Sequence, residues 1–298
     1  MRLLRALRRH GLKGTARIAL KKVVQHSGWH EFRTRKAPEY PSPGEQDLKS
    51  IEAELSGLGV VVEDYRVNIE AFWSFMDSAP FPTSYAGGPE GGVWEEKHME
   101  HFIALQLLDI DSYRADDIYV DVAACNSPWA RHLRESHGTN AYAVDLAIDA
   151  AYAELPYYRR ENATHMDFED NSIRGMSLHC AFEMFMGEDD TRLMQETART
   201  LQPGGRLLIL PLYMHTHYCS YATPEYWGKG YADPAATEYV RRRYRGIPSS
   251  RKYDAAMLKR RVLDPAIHHG LRYRLLALRN KAEAGRNIYC HFILELSR

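Results

Sequence analysis

The stretch DDIYVDVAACNSPWARHLRESHGTNAYAVDLA, residues 116–147, constrains the fold more than any other part of the chain. An apolar run ends on a tight turn, a helical pattern follows, and a second apolar run ends on Asp145. Strand, helix and strand in so short a space form the unit from which nucleotide-binding α/β sheets are built. Such units carry glycines in the first turn, where backbone must approach a ligand closely. Here the turn holds Ala123, Cys125 and Ser127 instead. Either the turn still works in modified form, or the fold has lost its ligand.

The alternation continues downstream. SIRGMSLHC, 172–180, reads as a strand and DDTRLMQETARTL, 189–201, as an amphipathic helix closed by a QPGG turn. RLLILPLY, 206–213, reads as a buried strand, and 252–270 as a helix broken at Pro265. Two strands, 271–279 and 288–298, close the chain. Upstream, helices are expected over 46–57 and around 64–77, then a Gly/Pro/aromatic loop at 78–94 and a helix at 95–110. A long loop leading into a helix before the first strand of the unit suggests a lid. The pattern specifies a mostly parallel sheet with helices on both faces. Three regions follow: a basic arm at 1–36, a region of linker, helices and lid loop at 37–94, and an α/β domain at 95–298.

Composition narrows the setting. No apolar run is long enough to span a bilayer, and the N-terminus lacks the pattern of a signal peptide. Cys125, Cys180, Cys219 and Cys290 form no CxxC pair, so a cytoplasmic protein is expected. The net charge of zero is unevenly spread: +10 over 1–36, −21 over 37–240 and +11 over 241–298. Residues 1–24 hold eight Lys/Arg and no acid, with Leu3, Leu4 and Leu7 on one helical side. That combination suits an interfacial helix on an anionic membrane, so a peripheral place on the inner membrane is the expectation. The alternatives are an arm packed on its own domain or on a partner subunit. The stacking platforms and motifs of nucleic-acid binders are missing.

Three segments resemble the class I S-adenosylmethionine-dependent methyltransferases. They are YVDVAACNSP, AVDLA, and the run from FEDNSIRGMSLHCAFEMF to ARTLQPGGRLLILPLY. The resemblance implies a Rossmann-like, seven-stranded, mostly parallel sheet behind a helical N-terminal extension, with S-adenosyl-L-methionine as cofactor. It places Asp121 near the cofactor's amino group and Asp145 on the ribose hydroxyls. Ala123, Cys125 and Ser127 form the cofactor turn, with Ser127 capping the next helix and Pro128 in its first position. A capped helix start with both acids in place argues for a different turn with the same purpose. Asn162 or Asp167 would meet adenine, the choice depending on loop length.

The segment HCAFEMF is where that family faces the methyl group, making His179 and Glu183 the catalytic candidates. A hydroxyl acceptor needs a base, which His supplies near neutral pH; the alternative is a core histidine and a surface acid. His215 and His217 alternate after the fifth strand and could hold a divalent ion with Asp233. Two histidines and a distant acid do not define a site, and no metal is expected. The turn and the HCAFE run look like methyltransferases of bacterial surface-glycan synthesis. The expected activity is O-methylation of a sugar, glycan or glycolipid at the membrane face. The rivals are a small-molecule or lipid methyltransferase and an inactive scaffold on the same fold.

Overall fold

The computed structural model describes residues 29–79, 81–285 and 287–298. Most of the expected basic arm, residues 1–28, lies outside these. The chain divides into two compact units. The larger holds residues 43–218 and 252–298; the smaller holds the chain up to Ser42 together with Cys219–Arg251.

The strands are β1 (Val62–Tyr65), β2 (Ile118–Val122), β3 (Asn140–Asp145), β4 (Tyr158–Arg160), β5 (Ile173–His179), β6 (Leu201–Leu212), β7 (Cys219–Ala222), β8 (Thr237–Val240), β9 (Ser250–Lys252), β10 (Arg272–Leu278) and β11 (Phe292–Ser297). The helices that matter here are α1 (Trp29–Thr34), α2 (Glu45–Gly57), α3 (Ile69–Ser78), α4 (Trp94–Leu107), α5 (Trp129–His137), α6 (Asp189–Thr200), α7 (Ala255–Leu258) and α8 (Asp264–His268).

The larger unit is built on an eight-stranded sheet of order β1-β10-β11-β6-β5-β2-β3-β4. β2 runs parallel to both β3 and β5, while β11 runs antiparallel to β6 and β10. Seven of these strands are the set expected from the resemblance. The eighth, β1, adds a parallel edge beside β10. Its residues Val62–Tyr65 overlap the start of the helix expected around 64–77. The valine-rich run wins there, and α3 begins only after Asn68, whose side chain accepts the Ala71 amide at 3.0 Å.

Two other local expectations shift. QPGG lies within β6, not after α6: Leu201 pairs with Ile173 and Arg206 with Gly175, so the residues between bulge out. Gly205 fits because a side chain there would stand 2.8 Å from the Ile173 carbonyl oxygen. Nor does Pro265 break its helix. α7 passes through a π-helical stretch, Lys259–Leu263, into α8, and the Arg261 carbonyl, four residues before Pro265, accepts the Thr191 hydroxyl at 2.8 Å.

The core lies where α3, α4 and α5 cover one face of the sheet. Phe72, Met99, Phe102, Ile103, Tyr119, Trp129 and Leu133 are fully or almost fully buried there. Phe81 and Tyr85, from the aromatic loop at 78–94, pack into the same cluster. No helix of the described residues is long and apolar enough to cross a membrane.

Candidate functional site

β2 is a central strand with parallel neighbours on both sides, so the chain departs in opposite directions from its carboxyl end. Ligands of open parallel sheets bind at such a switch point. A cavity of about 470 Å³ lies there, lined by Ala123 and Cys125 after β2, Asp145 at the end of β3, Asn162 after β4, and Cys180 after β5.

The turn has the backbone shape of a glycine turn without its glycines. Ala123 (φ 57°) and Cys125 (φ 46°) both occupy the left-handed region, which for non-glycine residues costs roughly 1–3 kcal/mol each. The surroundings hold it in place. Ala124 donates its amide to the Val144 carbonyl (3.1 Å), Asp149 donates to the Cys125 carbonyl (3.2 Å), and Tyr158 Oη donates to the Ser127 carbonyl (2.7 Å). The expectation of a different turn is therefore revised. Ser127 Oγ accepts the Trp129 amide at 3.2 Å, but α5 starts at Trp129, so Pro128 sits just before the first helical residue.

The two acids at the strand ends are held differently. Asp145 caps the turn: Oδ2 accepts the Cys125 amide at 2.9 Å and Oδ1 accepts the Ala147 amide at 2.8 Å. No helix starts at this point, so Asp145 is not an ordinary helix cap. Each oxygen keeps a lone pair directed elsewhere. Asp121 is 1 % exposed, and neither of its oxygens meets a hydrogen-bond partner among the described residues. Burial pushes its pKa up to about 7, opposed by the nearby Ser127 hydroxyl and Lys97 ammonium. Asp121 does not itself line the cavity of the turn, and its two oxygens keep their capacity to accept a donor.

Asn162 and Asp167 separate. Asn162 lines the cavity of the turn, with Oδ1 accepting both the amide and the hydroxyl of Thr164 at 3.0 Å. Asp167 lines another cavity, of about 960 Å³, between the 161–168 loop and α6. That larger space contains neither the turn nor Asp145, so its size does not make it the nucleotide site. Glu161 borders both.

His179 and Glu183 lie beside the site and not in its wall. The neighbours Cys180, Ala181 and Met184 line the cavity instead. His179 Nε2 shares a 2.6 Å hydrogen bond with Ser177 Oγ, which meets Tyr119 Oη, and Trp129 Nε1 donates to Tyr119 Oη at 2.8 Å. An indole N–H can only donate, so Tyr119 Oη accepts from Trp129, while the direction of the two bonds beyond it depends on the His179 tautomer. Nδ1 has no hydrogen-bond partner and stands 3.7 Å from Glu100 Oε2. Burial drives the His179 pKa well down, so the ring is neutral. Glu183 is partly buried with Oε2 unpaired, and burial raises its pKa against the pull of Lys252.

α4, expected as part of a lid, is the polar floor of the region. Glu96, Glu100 and His101 are completely buried on it. Lys97 Nζ pairs with Glu100 Oε2 at 2.9 Å and donates to the His179 carbonyl at 3.0 Å. Cys180 Sγ donates to Glu100 Oε1 at 2.9 Å, within 3.3 Å of the hydroxyls of Tyr213 and Tyr289. The helical spacing of Glu96, Lys97 and Glu100 was the signal; their partners on β5 and beyond lie too far along the sequence to be paired by pattern. His215 and His217 sit with ring centroids 4.4 Å apart, and Asp233 pairs with Arg251 at 3.9 Å.

A mostly parallel sheet whose central turn and neighbouring strand acid face one cavity is a Rossmann-like fold. Residues 120–209 match the family described as a methyltransferase domain. The matched segment runs from β2 into β6 and takes in the turn, Asp145 and the end of β5. No curated protein matches the sequence. Similar solved structures include the Burkholderia thailandensis 1,6-didemethyltoxoflavin-N1-methyltransferase, at 15% identity, covering 80% of this chain and 94% of that one with a TM-score of 0.45. A Mesorhizobium loti S-adenosylmethionine-dependent methyltransferase has 14% identity, 70% and 99% coverage and a TM-score of 0.43. The Streptomyces coelicolor geranyl diphosphate C-methyltransferase has 16% identity, 76% and 95% coverage and a TM-score of 0.38.

Proposed function

We propose that this chain is a class I S-adenosylmethionine-dependent methyltransferase that O-methylates a neutral hydroxyl acceptor, a sugar of a glycan or glycolipid, at the cytoplasmic face of the membrane. One observation carries the acceptor's charge class: among the described residues the cavity wall holds Asp145, Glu161 and Asp189 and no lysine or arginine. An anionic acceptor would meet repulsion there, while a cationic cofactor and a neutral acceptor would not. Ala181, Met184, Phe185 and Met186 supply an apolar side against which a sugar or lipid-linked group can rest. The membrane face rests on the basic residues 1–24.

The residues fit the cofactor. The unpartnered Asp121 carboxylate suits its ammonium group, the free lone pairs of Asp145 its ribose hydroxyls, and Asn162 its adenine edge. The left-handed turn at Ala123 and Cys125 brings backbone against it. When bound, the cofactor supplies a methyl group already activated by a sulfonium. The protein's part is then to position the acceptor and remove its proton. We assign proton acceptance to Glu183, whose buried Oε2 is unpaired. His179, held through Ser177 and Tyr119, fixes the end of β5 beside it.

Calorimetric titration with S-adenosylmethionine and S-adenosylhomocysteine tests the first half. Both should bind wild type, and Asp145→Ala should weaken binding by about a hundredfold, the value of roughly two charge-assisted hydrogen bonds. Tritium transfer to methyl glycosides, catechol and extracted polar lipids tests the second, with label expected on sugar. Label on catechol alone would make this a small-molecule methyltransferase. A folded protein that binds neither ligand would be a scaffold.

A further inference from the structure

The two units carry opposite charge. Residues 1–42 and 219–251 hold 17 Lys/Arg against 5 Asp/Glu, a net +12, and the rest of the chain holds 22 against 34, a net −12. Within the smaller unit every carboxylate has a local task. Glu31 pairs with Arg245 and Glu39 with Arg242. Asp233 pairs with Arg251, Glu225 accepts the Gly246 amide, and Glu238 accepts the Gly228 amide at 3.1 Å. The remaining described cations, Arg33, Arg35, Lys36, Lys229, Arg241 and Arg243, form no ion pair among the described residues.

Three of these six sit on aromatic rings. Arg241 Cζ lies 4.2 Å from the ring centroid of Tyr244, 5.1 Å from Tyr221 and 5.8 Å from Tyr40. Arg35 lies 4.4 Å from Phe32, and Lys229 5.5 Å from Tyr226. Arg243 is exposed, with no hydrogen bond, ion pair or ring contact among the described residues. Phe32, Tyr231 and Tyr244 are themselves exposed, at 55%, 42% and 46%. A cation on a ring keeps its charge with less water around it, and the ring adds an amphipathic body. Uncompensated arginines beside exposed aromatics match a layer with phosphates outside and hydrocarbon just below.

We propose that the smaller unit binds an anionic phospholipid surface, with Arg241, Arg243 and Tyr244 meeting the headgroup phosphates. This deepens the membrane-face part of the reading above by placing contact on folded residues beyond the basic arm. Cofactor binding is measured separately, so either can fail without the other.

The full-length protein is floated with vesicles of equal parts phosphatidylcholine and phosphatidylglycerol, with phosphatidylcholine alone, and against a single-stranded RNA oligonucleotide. Wild type should bind the anionic vesicles only, and less as salt rises. Arg241→Gln with Arg243→Gln, residues 1–28 intact, should weaken binding by more than about tenfold, since each cation near such a surface contributes roughly fivefold. Arg243→Glu alone, at a side chain the fold does not use, should lower affinity by about that tenfold again, with S-adenosylmethionine titration unchanged. No binding to anionic vesicles overturns the proposal. So does full binding by the double variant, which would leave the arm alone responsible, or tighter binding to the RNA than to vesicles.

Discussion

Two polar neighbourhoods of the larger unit lie close together and are built on opposite principles. Around Glu100 the groups answer one another: lysine against carboxylate, thiol against carboxylate, ammonium against carbonyl. At the carboxyl end of β2 they do not. The Asp121 oxygens are unpartnered, the turn is held in a costly conformation, and Asp145 keeps lone pairs unused. Polar groups paired within the protein stabilise or specify the fold, whereas polar groups kept waiting are arranged for something that arrives. Burial alone does not separate the two kinds, because Asp121 and Glu100 are both almost completely buried.

The comparison breaks most visibly at Lys97. Lys97→Met should leave Glu100 as an unpaired buried charge and destabilise the protein by about 3–5 kcal/mol, read as a large drop in thermal midpoint. A loss below about 1 kcal/mol would mean the network is not self-sufficient. Asp121→Asn should act the other way. Because burial raises the folded-state pKa of Asp121 from 3.8 to about 7, the ligand-free protein should be stabilised by this group below about pH 4 and lose that contribution as pH rises towards 7. The variant should flatten that slope in thermal unfolding while weakening cofactor binding; an unchanged slope would show that Asp121 is satisfied after all. The smallest effect belongs to the turn. Ala123→Gly and Cys125→Gly relieve the left-handed strain but add freedom to the unfolded chain, so each should stabilise by at most about 1 kcal/mol. Destabilisation by either would show that the methyl or thiol packs usefully in its place.

Much of this was legible in the sequence. The strands and helices around 116–213 are announced by periodicity, and Asp121 and Asp145 fall at strand ends because the apolar runs stop there. The turn was readable only in part. Its residues show a helix start after Pro128, yet its backbone shape is imposed by Val144, Asp149 and Tyr158, which no local pattern connects to it. The edge strand at Val62–Tyr65 was hidden because its partner, β10, lies about two hundred residues on. Asn162 parts from Asp167 only once the loop between β4 and β5 is folded. The dual place of His179, beside the cavity but tied to Ser177 and Tyr119, depends on which way a side chain leaves the end of a strand.

The smaller unit joins two stretches of chain separated by residues 43–218. Arg242 shows the dependence: its guanidinium donates to the carbonyls of Thr34 and Ala37, so the first stretch is fastened by a residue made much later. On a ribosome adding about 5–20 residues per second, the 176 residues between take roughly 10–35 s to emerge. For that interval Thr34 and Ala37 wait without their clamp while the intervening sheet is still being made. Order of synthesis thus makes the segment that begins the smaller unit one of the last to settle.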